Sequence, residues 1–470
     1  MSVTRLEHDE EHDVLILGAG LSGVYSLYCL RNYFSSRRVK VLEAGTDVRG
    51  TWGETGTSYR TRFFVSCPGF LSSLTLPNIP GINVVAGQAL HTSRWPAEFD
   101  VSHDFAGKRI GVVSTGATGT QTITAISKEP SIKSSSNVTY EQLFKQCAET
   151  LTGFLHAADP RQSLDVTEEE RQALWEKLYN EPGFGKWLGV LSDTYTDRRA
   201  NKLCSNSIAN KIRPRVHDPI TAESLTPRSH GFGTRRVPLE SKYFEALKKP
   251  HVHLFDLQQA TLDEVTPTGI GTNVGILPDL DILIFATGFD AITGAFSAIS
   301  WRGKDGRPLI STCQEEHESA TWPGQRPRTF LGLTVPAMPN MFMVLGPHQP
   351  FGNGTRSIEH AVKVISDLLV FCKEHSVTYI EPREEAVERW TEYVIECSEA
   401  LVLVREVDSW MIGINRNVKG KSMKSVVRYS RSAIEYRKWC REGGEGGWKD
   451  FVLIKEGEGA DRSGKAEGVV

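Results

Sequence analysis

A chain of 470 residues with a formal net charge of −3 is long enough for two or three domains, or for one discontinuous domain with an insertion. It has no basic excess to neutralise phosphates along a nucleic acid, so small molecules are the expected partners. No apolar run approaches the ~20 residues of a membrane span, the N-terminus is acidic rather than basic and then apolar, and the eight cysteines are scattered without a CxxC pair, which together predict a reduced, cytoplasmic setting.

The first element is "DVLILGAGLSGVYSLYCLRNYF", in which the apolar run Val14 to Leu17 gives way to Leu21, Val24, Tyr25 and Tyr28 at helical spacing. Gly18, Gly20 and Gly23 stand between strand and helix as GxGxxG, and Glu43 ends the next strand, "VKVLEAG", twenty residues beyond Gly23. Such glycines let the backbone turn and approach a pyrophosphate, the helix N-terminus supplies donors, and the carboxylate accepts ribose hydroxyls. An ordinary glycine turn with a surface glutamate is the bland alternative; strand, glycines, helix and acid in this order argue against it.

"VAGQALHTSRWP" (Val85 to Pro96) sets Gly87, His91, Trp95 and Pro96 at fixed intervals. A zinc site is excluded because no second ligand lies three to five residues from His91. Next, "KRIGVVSTGATGTQTITAI" repeats the strand, turn and helix, but as Ser114-x-Gly116-x-x-Gly119, and the serine costs backbone freedom. The following "ISKEPSIKSSSNVTYEQLF" is polar and broken and offers no second strand with a charged end, so a turn that binds nothing remains open on residue grounds.

Between Thr124 and Arg235 a helical insert is expected, with Thr167 and Glu170 as a cap and Leu174, Leu178 and Tyr179 on one face. In "GTRRVPLESKYFEAL", Arg235 and Arg236 before a proline read by themselves as a solvated turn. "LDILIFATGFD" is a buried strand from Ile282 to Phe285 closed by Gly288, and "PNMFMVLGP" is another. "SIEHAVKVISDLLVFC" predicts a helix with Ile358, Val362, Ile365 and Leu369 facing inward. The Gly-rich, charged end from "EGGEGGWKDF" onward reads mostly as tail. Strands alternating with helices predict a doubly wound α/β fold.

The spacing of Gly87, His91, Trp95 and Pro96 resembles the fingerprint of the Baeyer–Villiger monooxygenases, flavin enzymes that convert ketones to esters or lactones; only its leading Phe differs, replaced by Val85. "RGTWGE" is similar to the family's flavin segment, at Gly50, Thr51 and Trp52, with Arg49 for a glycine. "STGATGTQ" resembles its NADPH-phosphate turn, at Thr115, Gly116, Ala117, Thr118, Gly119 and Gln121, and "ATGFDAITG" its second flavin strand end. "PNMFMVLGP", the helix after it and "DSWMIGIN" resemble the C-terminal third, where Trp410 would reach the nicotinamide. The resemblance implies that Arg236 is the catalytic arginine, that Arg235 meets NADPH, and that His91 and Trp95 couple the movement of two nucleotide domains without proton chemistry.

On this resemblance the chain is α/β with two dinucleotide-binding, Rossmann-like domains. The FAD-binding domain is discontinuous, residues 1–103 and 236–440; the NADPH-binding domain, residues 104–235, carries the helical insert; residues 441–470 form a C-terminal segment and flexible tail. FAD and NADPH are the implied cofactors, and O2 and a ketone, such as a bulky secondary metabolite, the implied substrates. A guanidinium fits the chemistry because it stays charged at any working pH and can stabilise an anionic oxidant and a negative tetrahedral adduct.

Two departures keep other readings open. Only about thirty residues separate Trp52 from the fingerprint, too few for a full flavin half, and the family's aspartate that pairs with the catalytic arginine has no counterpart. A second shortening follows Gln121, where the family's NADPH-selecting strand belongs. A flavin N- or S-oxygenase or hydroxylase, and a nucleotide-binding homologue without turnover, are the alternatives.

Overall fold

The structure, a computed structural model, describes residues 11–34, 38–44, 59–96, 98–127, 145–147, 150, 152–216, 218–277, 279–311 and 319–458. Strand β1 (Glu11–Leu17), helix α1 (Leu21–Leu30) and strands β2 (Val39–Leu42) and β3 (Arg60–Ser66) come first. Then follow β4 (Gln88–His91), β5 (Ile110–Val113), α2 (Ala117–Ile126), α3 (Glu168–Asn180) and α4 (Arg198–Ile212). Beyond them lie β6 (Leu262–Val265), β7 (Ile270–Thr272), β8 (Gly275–Ile276), β9 (Ile282–Phe285), β10 (Met341–Met343), α5 (Gly354–Glu374), β11 (Val377–Pro382), α6 (Glu384–Glu399), α7 (Ala433–Glu445) and β12 (Phe451–Lys455).

Two parallel sheets organise the α/β fold. The first has the order β10-β3-β1-β2, with Val14 opposite both Val39 and Phe63. The second has the order β4-β9-β5, and the small antiparallel β6-β7-β8 meander packs on it through Val265, Ile270, Leu283 and Phe285. The largest core lies between the first sheet and α5, α6 and α7, with Trp390, Tyr429 and Tyr436 inside it. On α5 the stripe Ile358, Val362, Ile365 and Leu369 is buried as its spacing predicts, worth ~1.5–3 kcal/mol for each side chain.

The expected flavin strand Ile282–Phe285 lies elsewhere: it pairs with β5 from Ile110↔Ile282 to Val113↔Phe285 and with β4 on its other edge. All four of its residues are buried, so a strand with no polar face needs neighbours on both edges, and β4 and β5 provide them. The chain therefore enters the second sheet at β4, before residue 104, and regains the first only at β10, well after residue 236. The expected domain boundaries do not coincide with the sheet boundaries.

Three further expectations change. In α1 the large residues Leu21, Val24 and Tyr28 are exposed, and Ser22, Gly23 and Ser26 face inward, because the helix crosses the sheet too closely for bulk. The Thr167–Glu170 capping box forms, yet the inward face of α3 centres on Trp175 and Leu178, with Leu174 and Tyr179 only half-buried. The segment read as tail contains β12, which pairs antiparallel with β11 and seats Phe451 in the main core. Among the described residues no helix is long and apolar enough to cross a membrane.

Candidate nucleotide and substrate sites

The first glycine turn is held by close backbone packing. Gly18 adopts φ +94°, and a Cβ there would lie 2.4 Å from the Cys67 carbonyl oxygen; one on Gly23 would lie 1.8 Å from the carbonyl oxygen of Gly18. At Gly20 a Cβ would meet no described residue within 4 Å, so the open space lies at the helix start. Among the described residues no side chain caps α1, and its first turn holds no acid, which leaves its positive end for an anion. Glu43 Oε2 accepts the Ala19 N–H at 2.5 Å and Oε1 the Ala44 N–H at 3.0 Å, bringing the carboxylate to the rim of the turn. Glycines, uncapped helix and acid fit a dinucleotide. Gly50, Thr51 and Trp52 lie outside the described residues.

The second turn repeats this geometry. The helix-capping glycines Gly20 and Gly116 have φ/ψ of −71°/−171° and −68°/−178°, and a Cβ on Gly119 would lie 2.2 Å from the Ser114 carbonyl oxygen. Thr115, Ala117 and Thr118 complete the turn, Gln121 follows in α2, and all line one large cavity of about 3200 Å³. Ser114 occupies the place of Gly18 at φ +121°, where an L side chain is strained, and its Oγ accepts the Gly116 N–H at 3.0 Å. Substituting Ser114→Gly should release about 1–3 kcal/mol of strain and free that amide for phosphate. We expect a higher melting temperature and a severalfold lower NADP+ dissociation constant; a variant that melts and binds like the parent would show that the serine is unstrained.

His91 ends β4, directly opposite Phe285. Its Nε2 faces the Gly288 carbonyl oxygen at 3.1 Å; a carbonyl only accepts, so Nε2 carries the proton. Nδ1 then accepts from the Ser93 hydroxyl at 2.8 Å. Burial pushes the imidazole below its ordinary value and keeps it neutral, with Phe289 packed edge-on at 5.6 Å. Gly87 is needed because a Cβ would lie 2.1 Å from the Asp281 carbonyl oxygen. Val85 packs in the apolar cluster under the second sheet, and Trp95 rests on Phe99 and Phe105 at 5.6 and 6.0 Å.

Arg235 and Arg236 are exposed on the same cavity as the Ser114 turn. Neither forms an ion pair or hydrogen bond with another described residue, whereas nearby Arg215 is held by Glu240 and Glu245, which pins the chain just after them. Trp410 also lines the cavity, packed with Phe70, Phe351, Ile292 and Val427.

Two features have no local sequence signal. Lys421 Nζ, buried, contacts Asp290 Oδ1 at 2.5 Å, Asp290 Oδ2 at 2.7 Å and Thr293 Oγ1 at 2.6 Å, and Asn415 donates to Thr75 Oγ1 at 3.2 Å. These bonds tie the Trp410 segment to the chain leaving β9 and to Thr75 in the stretch after β3. The other is Arg428, on the cavity wall.

No family model matches the chain. It is 35% identical over 424 residues to the 2-oxo-Delta(3)-4,5,5-trimethylcyclopentenylacetyl-CoA monooxygenase of Pseudomonas putida, covering 83% of this chain and 75% of that protein. It is 34% identical over 410 residues to the cyclohexanone 1,2-monooxygenase of an Acinetobacter species, covering 82% and 72%. Its fold matches the crystal structure of OTEMO in complex with FAD and NADP with a TM-score of 0.81 at 29% identity, covering 94% of this chain and 99% of that one. With paired glycine turns, the His91 fingerprint and identity at this level across most of its length, the chain belongs to the Baeyer–Villiger monooxygenases.

Proposed function

We propose that the protein uses FAD, NADPH and O2 to insert one oxygen atom beside a ketone carbonyl, giving an ester or lactone. The observation that carries this reading is the pair of strand, turn and helix units with matching backbone geometry, one on each parallel sheet. The unit of the first sheet takes FAD and that of the second takes NADPH. When bound, the flavin supplies the activated oxygen and NADPH the hydride.

The residues have separate tasks. Gly20 and the N-terminus of α1 receive the FAD pyrophosphate, and Glu43 accepts ribose hydroxyls. Gly116, its neighbours Thr115, Ala117 and Thr118, and Gln121 would receive NADPH, with Arg235 and Trp410, which line the same cavity, as further residues that would meet it. Arg236 supplies positive charge where the carbonyl oxygen becomes negative. His91, neutral and hydrogen-bonded at both ring nitrogens, joins the fingerprint to the end of β9 and moves no proton.

The test supplies the FAD-loaded protein with NADPH, labelled O2 and a panel of cyclic ketones, amines and sulfides. Lactone carrying one labelled oxygen atom is expected. Oxygenated amines or sulfides without lactone would replace the reading with an N- or S-oxygenase; NADPH consumption without any oxygenated product would remove it.

A further inference from the structure

The segment from Ser425 to Tyr429 runs beside the loop after β10 and bends at Arg428. His348 N–H donates to the Val427 carbonyl at 3.1 Å, Tyr429 N–H donates to the Gln349 carbonyl at 3.1 Å, and Pro350 and Tyr429 form a parallel bridge. Val427 and Tyr429 are both buried in apolar clusters, and Arg428 between them lines the cavity that also holds Arg236, Phe351 and Trp410.

Arg428 is under-satisfied. Its Nε is sealed from solvent without a hydrogen-bond partner, and it meets no carboxylate among the described residues. Desolvation lowers the guanidinium to about 10, so it still carries its charge at neutral pH. Two other cations on this wall are answered from behind: Arg356 by Glu359, and Arg431 by Glu435 at 3.6 Å. His360 is pushed down to about 4 by burial and by Arg437, Lys363 and Arg356, so it stays neutral. Within residues 350–360 and 428–437, the cavity wall carries Arg356, His360, Arg428, Arg431 and Arg437 but no aspartate or glutamate. A desolvated cation in such surroundings is stable where a ligand brings the counter-charge.

We propose that Arg428 is an anion-binding residue of the substrate pocket and that the preferred ketone carries a carboxylate. The planar guanidinium matches a carboxylate with two parallel hydrogen bonds, and a ketone tethered this way is oriented as well as held. The two phosphate cradles lie at the starts of α1 and α2, which leaves Arg428 for the substrate. The substrate class rests on the oxygen-insertion reading; the anion site does not.

The probes are 3-(2-oxocyclohexyl)propanoate and its methyl ester, matched except for charge. The FAD-loaded parent should favour the acid in kcat/KM by about 10- to 100-fold, and the acid should perturb the resting flavin spectrum at correspondingly lower concentration. Arg428→Met should erase that preference, and Arg428→Lys, which keeps charge but loses the fork, should retain part of it. A parent that treats acid and ester alike overturns the proposal, as does a preference that survives in Arg428→Met. Loss of FAD from Arg428→Met would assign the residue to the cofactor and also overturn it. If neither probe is oxygenated but the resting protein still binds the acid preferentially, the reaction fails and the anion site stands; equal oxygenation of both has the opposite meaning.

Discussion

Gly23→Ala protein is expected to purify without flavin and to melt well below the parent. A Cβ at position 23 would lie 1.8 Å from the Gly18 carbonyl oxygen and 2.9 Å from its carbonyl carbon, so one of the two backbones must move. Neither has room. Gly18 is already in the left-handed region, and its own packing against the Cys67 carbonyl ties the turn to the end of β3. Displacing α1 breaks the alignment of its first amides with the pyrophosphate and disturbs the contact of α1 with β1. Visible flavin absorbance per protein, with a thermal melt alongside, measures both effects. Parental flavin content in this variant would mean that the turn does not cradle the cofactor.

For Arg236→Ala the expected result is reduction of the flavin by NADPH with product from ketones lowered by about 100-fold or more, the scale of removing one stabilising donor from a developing negative charge. The parent itself should couple poorly. Arg236 is exposed and has no hydrogen bond or ion pair with another described residue, and the sequence offers no counterpart to the family's partnering aspartate. A guanidinium that is not held can miss its position by about 1 Å, which already costs ~100-fold. NADPH oxidation by the parent should therefore release much hydrogen peroxide, with lactone as a minor product. Counting NADPH, peroxide and lactone side by side for parent and variant decides the matter. If the variant makes as much lactone as the parent, Arg236 is not the stabilising cation; a tightly coupled parent would mean that another residue holds it.

Much of the candidate site is legible along the chain because it consists of local geometry. Gly18, Gly20 and Gly23 need only their own backbone and the strand before them, and the Thr167–Glu170 cap needs three residues of spacing. The stripe on α5 follows the helical period. The face of α1 was harder to read, because apolar spacing marks large residues while close helix-to-sheet packing selects small ones, Ser22, Gly23 and Ser26.

What the sequence by itself determined is the class of the fold and its two nucleotide turns, since strand, tight turn and uncapped helix are short-range features whose residues stand within a few positions of one another. The tertiary structure alone decided which sheet each strand joins. The apolar run Ile282–Phe285 reports burial on both faces, but its neighbours, β4 and β5, lie far back in the chain, and pairing depends on which edges remain open after folding. The same holds for Lys421 and Asp290, which meet across 131 positions, and for Arg428, whose Nε finds no partner among the described residues, a property of everything packed around it. A charge in a sequence is only a charge; its counter-ion, or its need for one, is set by burial and distance in three dimensions.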